Sequence, residues 1–442
     1  SKRKVNGNLF LSTILEKKLN SDLYYLNKIK EEQDKVGPGF CVLKWYHQEM
    51  HLGTGLNHSC YHCPTHKIPE NSDLHNTPHK IEQRNIMLQG GKPDECSYCW
   101  QVEDLDLISD RQTLAVQFFK HDPNIIAKAT DAGLDNVYPK YLELSFTNKC
   151  QMKCSYCGPS FSSSWQKEID EFGPYPLSQQ EYWNGNEYRE TESPYIKKFW
   201  KWFPEAYKHL FVLRVTGGEP LLDKNTYRLL EYVKDNPRDG LTFHCNSNLM
   251  VSRSRIVKYA RLAKDIPDTK LYVSIDSWGK QAEYIRNGLD IDQFEENLHI
   301  ILTHGLQVGL MITFNLLSIP NIEELIYKVA ELKIQYPGQV HWDSPHMTNP
   351  EHLSAQIANN RLINIMEDSL RTMQKYSQFT EGEYQKYKRT VEWIKNNRFK
   401  GEKLQKHRND FVAFIGEHDK RRNTSFIDSF GELGNEIIDD FN

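Results

Sequence analysis

The chain has 442 residues, with Lys+Arg 55 against Asp+Glu 59 and a net charge of -4 at pH 7, a balance that gives no global drive toward nucleic acid or an anionic membrane. Hydrophobic residues at 38% and aromatics at 12% exclude a wholly disordered chain. No apolar run approaches a bilayer span and Ser1-Lys-Arg-Lys-Val5 holds no secretory apolar stretch, so the expectation is a cytoplasmic protein of two or three domains, at about 150 residues each.

Residues 1–40 read as a polar helical segment, Leu11 to Glu32, closed by Gly37-Pro38-Gly39. Residues 41–135 form the next domain; its first part is rich in Cys, His, Gly and Pro and poor in long periodic segments, which suits organisation by metal. From about residue 140 the pattern alternates. β-like runs at Tyr141–Phe146, Leu210–Thr216, Leu241–Cys245, Leu271–Ile275, Gln307–Phe314 and Gln339–Trp342 enclose helical stretches at Thr226–Lys234, Ser254–Lys264, Asp292–Thr303 and Ile322–Gln335. That alternation implies an α/β fold of βαβ units and a parallel sheet, either a partial barrel or an open sheet, with the site at the C-terminal strand ends. The domain spans 136–350 with an aromatic insertion at about 171–207, and 351–442 read as a helical extension with charged faces.

Nine cysteines lie at 41, 60, 63, 96, 99, 150, 154, 157 and 245. A long chain with half its length free of cysteine is no disulfide scaffold, so the close-spaced cysteines read as metal or cluster ligands. The strand ending at Phe146 runs into Cys150, Cys154 and Cys157, spaced C-x3-C-x2-C. Three thiolates on one loop suit three corners of a [4Fe–4S] cubane with one iron open; zinc completed by a distant residue is the alternative.

With Tyr156 directly before the last cysteine, this loop resembles the signature of the radical S-adenosylmethionine (SAM) enzymes. The resemblance implies a partial (β/α)6 barrel and a [4Fe–4S] cluster on Cys150, Cys154 and Cys157. It also implies SAM on the open iron, an electron donor such as flavodoxin or ferredoxin, and a 5′-deoxyadenosyl radical that abstracts hydrogen from a substrate. Later segments are similar to the family's SAM motifs in the same order. Gly217-Gly218-Glu219 resembles the motif for the SAM amino group, and Asn246 and Asn248 stand where the family places a polar residue on the ribose. Ser274, Asp276 and Arg286 resemble its S-x-D … R segment, in which the serine and arginine contact ribose and carboxylate. Asn315 ends a strand whose apolar neighbours suit adenine. Tyr156 completes the implied SAM set.

Cys41, Cys60, Cys63, Cys96 and Cys99 include two C-x2-C pairs separated by 32 residues. Taken alone they read as a zinc-ribbon-like site. Beside a radical SAM core they resemble the auxiliary-cluster (twitch) domain, found in radical SAM proteins many of which are phage-encoded. That resemblance implies a second [4Fe–4S] cluster on Cys41, Cys60, Cys96 and Cys99, with Cys63 a rival. His47, His51, His58, His62 and His66 lie close by and offer zinc ligands, although a local excess of His more often serves the surface or supports other ligands. Cys245, in an apolar strand, reads as a packed thiol.

Trp165, Tyr175, Tyr182, Trp183, Tyr188, Trp200 and Trp202 either shape an entry to the site or pack a capping segment. Lys197-Lys198 and Lys420-Arg421-Arg422 read as solvated faces. No catalytic proton donor stands out. The expected function is a radical SAM enzyme acting on a peptide or protein side chain or on a small molecule; the alternative is a non-catalytic zinc-binding adaptor on an α/β scaffold.

Overall fold

The computed structural model describes residues 24–105, 107–178 and 193–442. Tyr182, Trp183 and Tyr188, and most of the expected N-terminal helix, lie outside the described residues; the helix is present over 24–36. Contacts group the chain into one unit of Ser1–Leu144 with Thr191–Leu213 and another of Ser145–Glu190 with Arg214–Asn442. The expected insertion falls across both units, and the C-terminal helical extension groups with the second.

In the first unit, strands β1 (His47–His51), β2 (Leu56–His58) and β3 (His66–Lys67) pair antiparallel. A core of Phe40, Trp45, Met87, Phe118 and Ile125 fills the unit beside them. Helix Pro78–Leu88 starts where Thr77 accepts from the Lys80 amide, with Pro78 in the first turn where a missing N–H costs nothing. Its Arg84 is fully buried and donates to the carbonyls of Lys44 and Leu134, tying the two ends of the unit. Helix Pro194–Tyr207 packs here too: Tyr195 Oη donates to Ile68 O at 2.8 Å, over Gly55, where a Cβ would stand 2.1 Å from the Tyr195 ring.

In the chain-spanning sequence of strands, β4 (Tyr141–Ser145), a short β5 (Lys153–Cys154), β6 (Val212–Thr216), β7 (Thr242–Ser247), β8 (Thr269–Ser274), a short β9 (Arg286–Asn287), β10 (Gln307–Met311) and β11 (Val340–Asp343) follow. Six of these lie in the sheet order β11-β10-β8-β7-β6-β4, and β7–β8, β8–β10 and β10–β11 pair in parallel. Helices Lys224–Asp235, Arg253–Ala263, Ile291–Thr303 and Ile322–Gln335 connect successive strands, each within two residues of the sequence expectation. Burial alternates along β7 and β8, so one sheet face packs under the helices and the other carries half-exposed side chains. Four helices close the chain: Asn360–Gln374, Glu381–Asn396, Gly401–Arg422 and Phe426–Phe441. Among the described residues no helix is long and apolar enough to cross a membrane.

Candidate functional site

The cysteine loop leaves β4 and is gripped on every side by the second unit. Gly218 N donates to Thr147 O and Glu219 N to Lys149 O, at 3.2 and 2.8 Å. A Cβ on Gly218 would sit 2.5 Å from Lys149 O, and Gly217 has φ +111° with Ser145 Oγ 2.4 Å from where its Cβ would be. The two glycines therefore admit the protein's own loop. Helix Ser163–Phe172 starts against the same loop: Ser163 and Ser164 hydroxyls donate to Cys150 O, and the Cys150 amide donates to Ser163 Oγ. Trp165, fully buried, donates to Cys154 O at 2.8 Å.

The two-stranded pairing of β5 with β9 was not visible in the sequence. It sets Cys154 directly opposite Arg286. Arg286 Nη1 lies 3.4 Å from Cys154 Sγ, Nε donates to Asp276 Oδ2 at 2.8 Å, and Nη2 donates to the Tyr156 hydroxyl. Tyr156 in turn donates to Asp276 Oδ2, and the Thr313 amide to Oδ1. The buried Asp276 and Arg286 and the half-buried Tyr156 are thus one network around the loop, with the arginine fork engaged by protein groups.

The other expected SAM residues divide. Glu219 is buried and accepts from Ser247 Oγ, Asn248 N and Leu221 N, and burial pushes its carboxyl up to about 7. Asn248 Nδ2 lies 3.7 Å from Cys150 Sγ. Asn246 stands on the half-exposed face, its oxygen held by Arg214 at 3.0 and 3.1 Å, and Ser274 ends β8 on that face. Asn315 is turned into the fold, where its oxygen accepts from the Leu317 amide and its nitrogen donates to Thr313 O. Cys245 is buried in β7, away from the other thiols in sequence and role, as a packed thiol should be.

One expectation is corrected. Of Lys420-Arg421-Arg422, read as a solvated face, only Lys420 is exposed; Arg421 and Arg422 side chains are 4% and 0% exposed. Arg422 ion-pairs with Glu168 at 3.0 Å, donates to Lys153 O at 2.6 Å and lies over the Trp165 ring. Charge count alone hides this, because the partner Glu168 lies 254 residues away.

The thiols suit a cluster. Burial raises the Cys150 and Cys154 thiols and pushes Cys157 up to about 12, so ligation must displace protons from neutral groups. Three thiolates on one tetrahedral zinc, at Zn–S of about 2.3 Å, would stand about 3.8 Å apart. Among the described residues, Cys150, Cys154 and Cys157 form no group of ligand atoms within 4.8 Å of one another.

In the first unit, Cys41, Cys60, Cys96 and Cys99 line one small cavity with His62, Trp100 and Arg111. Cys63 stands 3.4 Å from Cys60 Sγ and 4.0 Å from Cys96 Sγ, and converges with Cys96 and Glu95 within 4.8 Å. The buried Lys44 ammonium lies 3.5 Å from Cys63 Sγ and pairs with Glu95. Arg111 is held by Glu103 and Asp34.

A family model for the Radical SAM superfamily matches residues 144–332, which span the loop, Glu219, Asp276, Arg286 and Asn315. The chain carries a radical SAM domain and is a radical SAM enzyme. Similar curated relatives include a GTP 3′,8-cyclase of Pasteurella multocida (strain Pm70), 25% identical over 57% of this chain and 67% of the relative. A GTP 3′,8-cyclase of Syntrophomonas wolfei subsp. wolfei is 23% identical over 39% of this chain and 50% of the relative. The chain therefore spans two thirds of one relative and half of the other. A solved structure, Streptococcus suis SuiB bound to S-adenosylmethionine, is 13% identical with a TM-score of 0.35, covering 62% of this chain and 68% of that one.

Proposed function

We propose that Cys150, Cys154 and Cys157 hold a [4Fe–4S] cluster that binds SAM, and that Cys41, Cys60, Cys96 and Cys99 hold an auxiliary [4Fe–4S] cluster in a twitch-like domain. The observation that carries the reading is the cysteine loop itself: three cysteines at C-x3-C-x2-C spacing on one rigidly gripped segment, inside the region that matches the family. When bound, the cluster supplies the electron that cleaves SAM to a 5′-deoxyadenosyl radical, which takes hydrogen from the substrate. The chain's own residues set the conditions. Arg286 and the Asn248 amide direct N–H groups at Cys154 and Cys150 sulfurs, a contact that raises cluster potential. Glu219 keeps a carboxyl at the end of β6 for the SAM ammonium, and Asn246 and Ser274 present polar groups to the ribose.

The substrate is a peptide or protein side chain or a small molecule. The half-exposed face around Asn246 carries Arg214, His244, Lys270 and Tyr272, with Arg214 5.1 Å over the Tyr272 ring, which favours a polar or anionic molecule. GTP, named in the relatives' activity, is the first nucleotide to test, alongside peptides. Reaction in the cytoplasm with flavodoxin or ferredoxin as electron donor completes the proposal. The zinc-adaptor alternative leaves the match to the family and the Arg286 network without a purpose.

The test is anaerobic reconstitution followed by iron and sulfide analysis, then dithionite and SAM with 5′-deoxyadenosine followed by chromatography. About eight irons per chain and deoxyadenosine formation are expected. Stoichiometric zinc with no iron uptake and no SAM cleavage overturns the proposal.

A further inference from the structure

We propose that Glu49, His51 and His58 bind one divalent transition-metal cation of the zinc or ferrous class on the β1–β2 hairpin, separate from both cysteine groups. The register sets Glu49 opposite His58 and His51 opposite Leu56. Because His51 follows Glu49 by two residues, all three side chains stand on one face of the hairpin. Their ligand atoms converge within 4.8 Å: Glu49 Oε2 lies 3.1 Å from His58 Nε2 and Oε1 3.6 Å from His51 Nε2. The two imidazoles lie nearly parallel, 13° apart.

The hydrogen-bond arithmetic at His58 calls for a positive charge. Its Nδ1 is 2.6 Å from the Cys60 carbonyl oxygen, which only accepts, so Nδ1 carries the hydrogen. In the neutral ring, Nε2 then turns a lone pair toward a carboxylate. Among the described residues, the buried Glu49 Oε2 has no hydrogen-bond partner other than that ring. Two facing acceptors at that distance need either a metal cation or a proton on the ring. An imidazole whose far N–H is fixed by a backbone carbonyl is already oriented as a metal ligand. Two imidazoles and one carboxylate are donors suited to Zn2+ or Fe2+ rather than to Mg2+ or Ca2+. The three side chains are 9–12% exposed, and three protein ligands leave a coordination position open. The rival occupant is a proton, giving a His58–Glu49 ion pair.

The experiment uses the iron- and sulfide-loaded full chain titrated with Co2+ alone. About one cobalt per chain beyond the cluster iron is expected, with ligand-field absorption and no thiolate-to-cobalt charge-transfer band. Glu49→Gln and His58→Gln each weaken cobalt binding at least about tenfold, with iron, sulfide and circular dichroism unchanged, while His121→Gln, at a histidine stacked on Phe211 outside the hairpin, binds like wild type. Cobalt held equally by Glu49→Gln and wild type, or cobalt showing a thiolate band, overturns the site. No cobalt bound by wild type overturns it in favour of the proton. If either variant fails to fold, the wild-type stoichiometry and spectrum decide between the same outcomes.

Discussion

The second unit draws three thiols from eight consecutive residues, Cys150 to Cys157, whereas the first draws five from separated stretches between Cys41 and Cys99. The loop is held from outside, by Gly218, Asn248, Arg286, Trp165 and Arg422, none of which is adjacent to it in sequence. The N-terminal thiols instead come together only when helix Ser97–Glu103 and the segment after β2 have folded, and a buried Lys44–Glu95 pair sits among them. A local ligand set needs a rigid frame, and a dispersed set must be its own frame. The difference predicts that the loop tolerates loss of metal better than the N-terminal unit does.

Removing one group of ligands at a time breaks the comparison most severely. Cys150→Ala with Cys154→Ala and Cys157→Ala abolishes 5′-deoxyadenosine formation and lowers iron from about eight to about four per chain. Next comes the frame. Arg286→Ala strands the buried Asp276 carboxylate, and denaturant unfolding is expected to show a loss of about 3–5 kcal/mol. Glu219 follows. Its carboxyl is raised by burial from 4.5 to about 7, so the folded state holds the proton more tightly than the unfolded state. Before SAM or cluster is added, Glu219's own contribution to stability is therefore full below about pH 4.5 and falls by about 3 kcal/mol as pH rises to 7; Glu219→Gln removes that part of the pH slope, read from unfolding midpoints against pH.

Smaller changes sharpen the same contrast. Gly218→Ala drives a methyl into Lys149 O and is expected to cost about 1–3 kcal/mol while slowing SAM cleavage, because the whole loop must shift. The smallest effect is Cys63→Ser, which leaves iron and sulfide at wild-type levels if the cavity lined by Cys41, Cys60, Cys96 and Cys99 is the auxiliary site. Loss of about four irons in that variant instead gives Cys63 a ligand's place.

Much of the second unit was legible because strands and helices there carry their own periods, and the helix Ile322–Gln335 begins and ends where its pattern does. The loop drew notice by its cysteine spacing together with Tyr156, and it lies inside the region that the family model matches. What spacing could not show was contact across the fold. Arg286, Tyr156 and Asp276 read as separate contacts to a ligand, yet they close on one another. Asn315 looked like a strand-end residue open to ligand and instead caps the turn Leu316–Asn321. The β5–β9 pairing is two residues long on each side, too short for any period to register. The five histidines from His47 to His66 offered metal ligands by nearness in sequence only, and the hairpin register is what brings His51 and His58 to Glu49.

Arg422 gives the chain a schedule. A ribosome releases residues from the N-terminus onward, so Cys150, Cys154 and Cys157 emerge long before the guanidinium that bridges Glu168 and Lys153 beneath them. Throughout that interval the loop lacks that clasp. The loop's own residues are therefore complete long before their frame is, and they reach their final hold only once helix Gly401–Arg422 has folded.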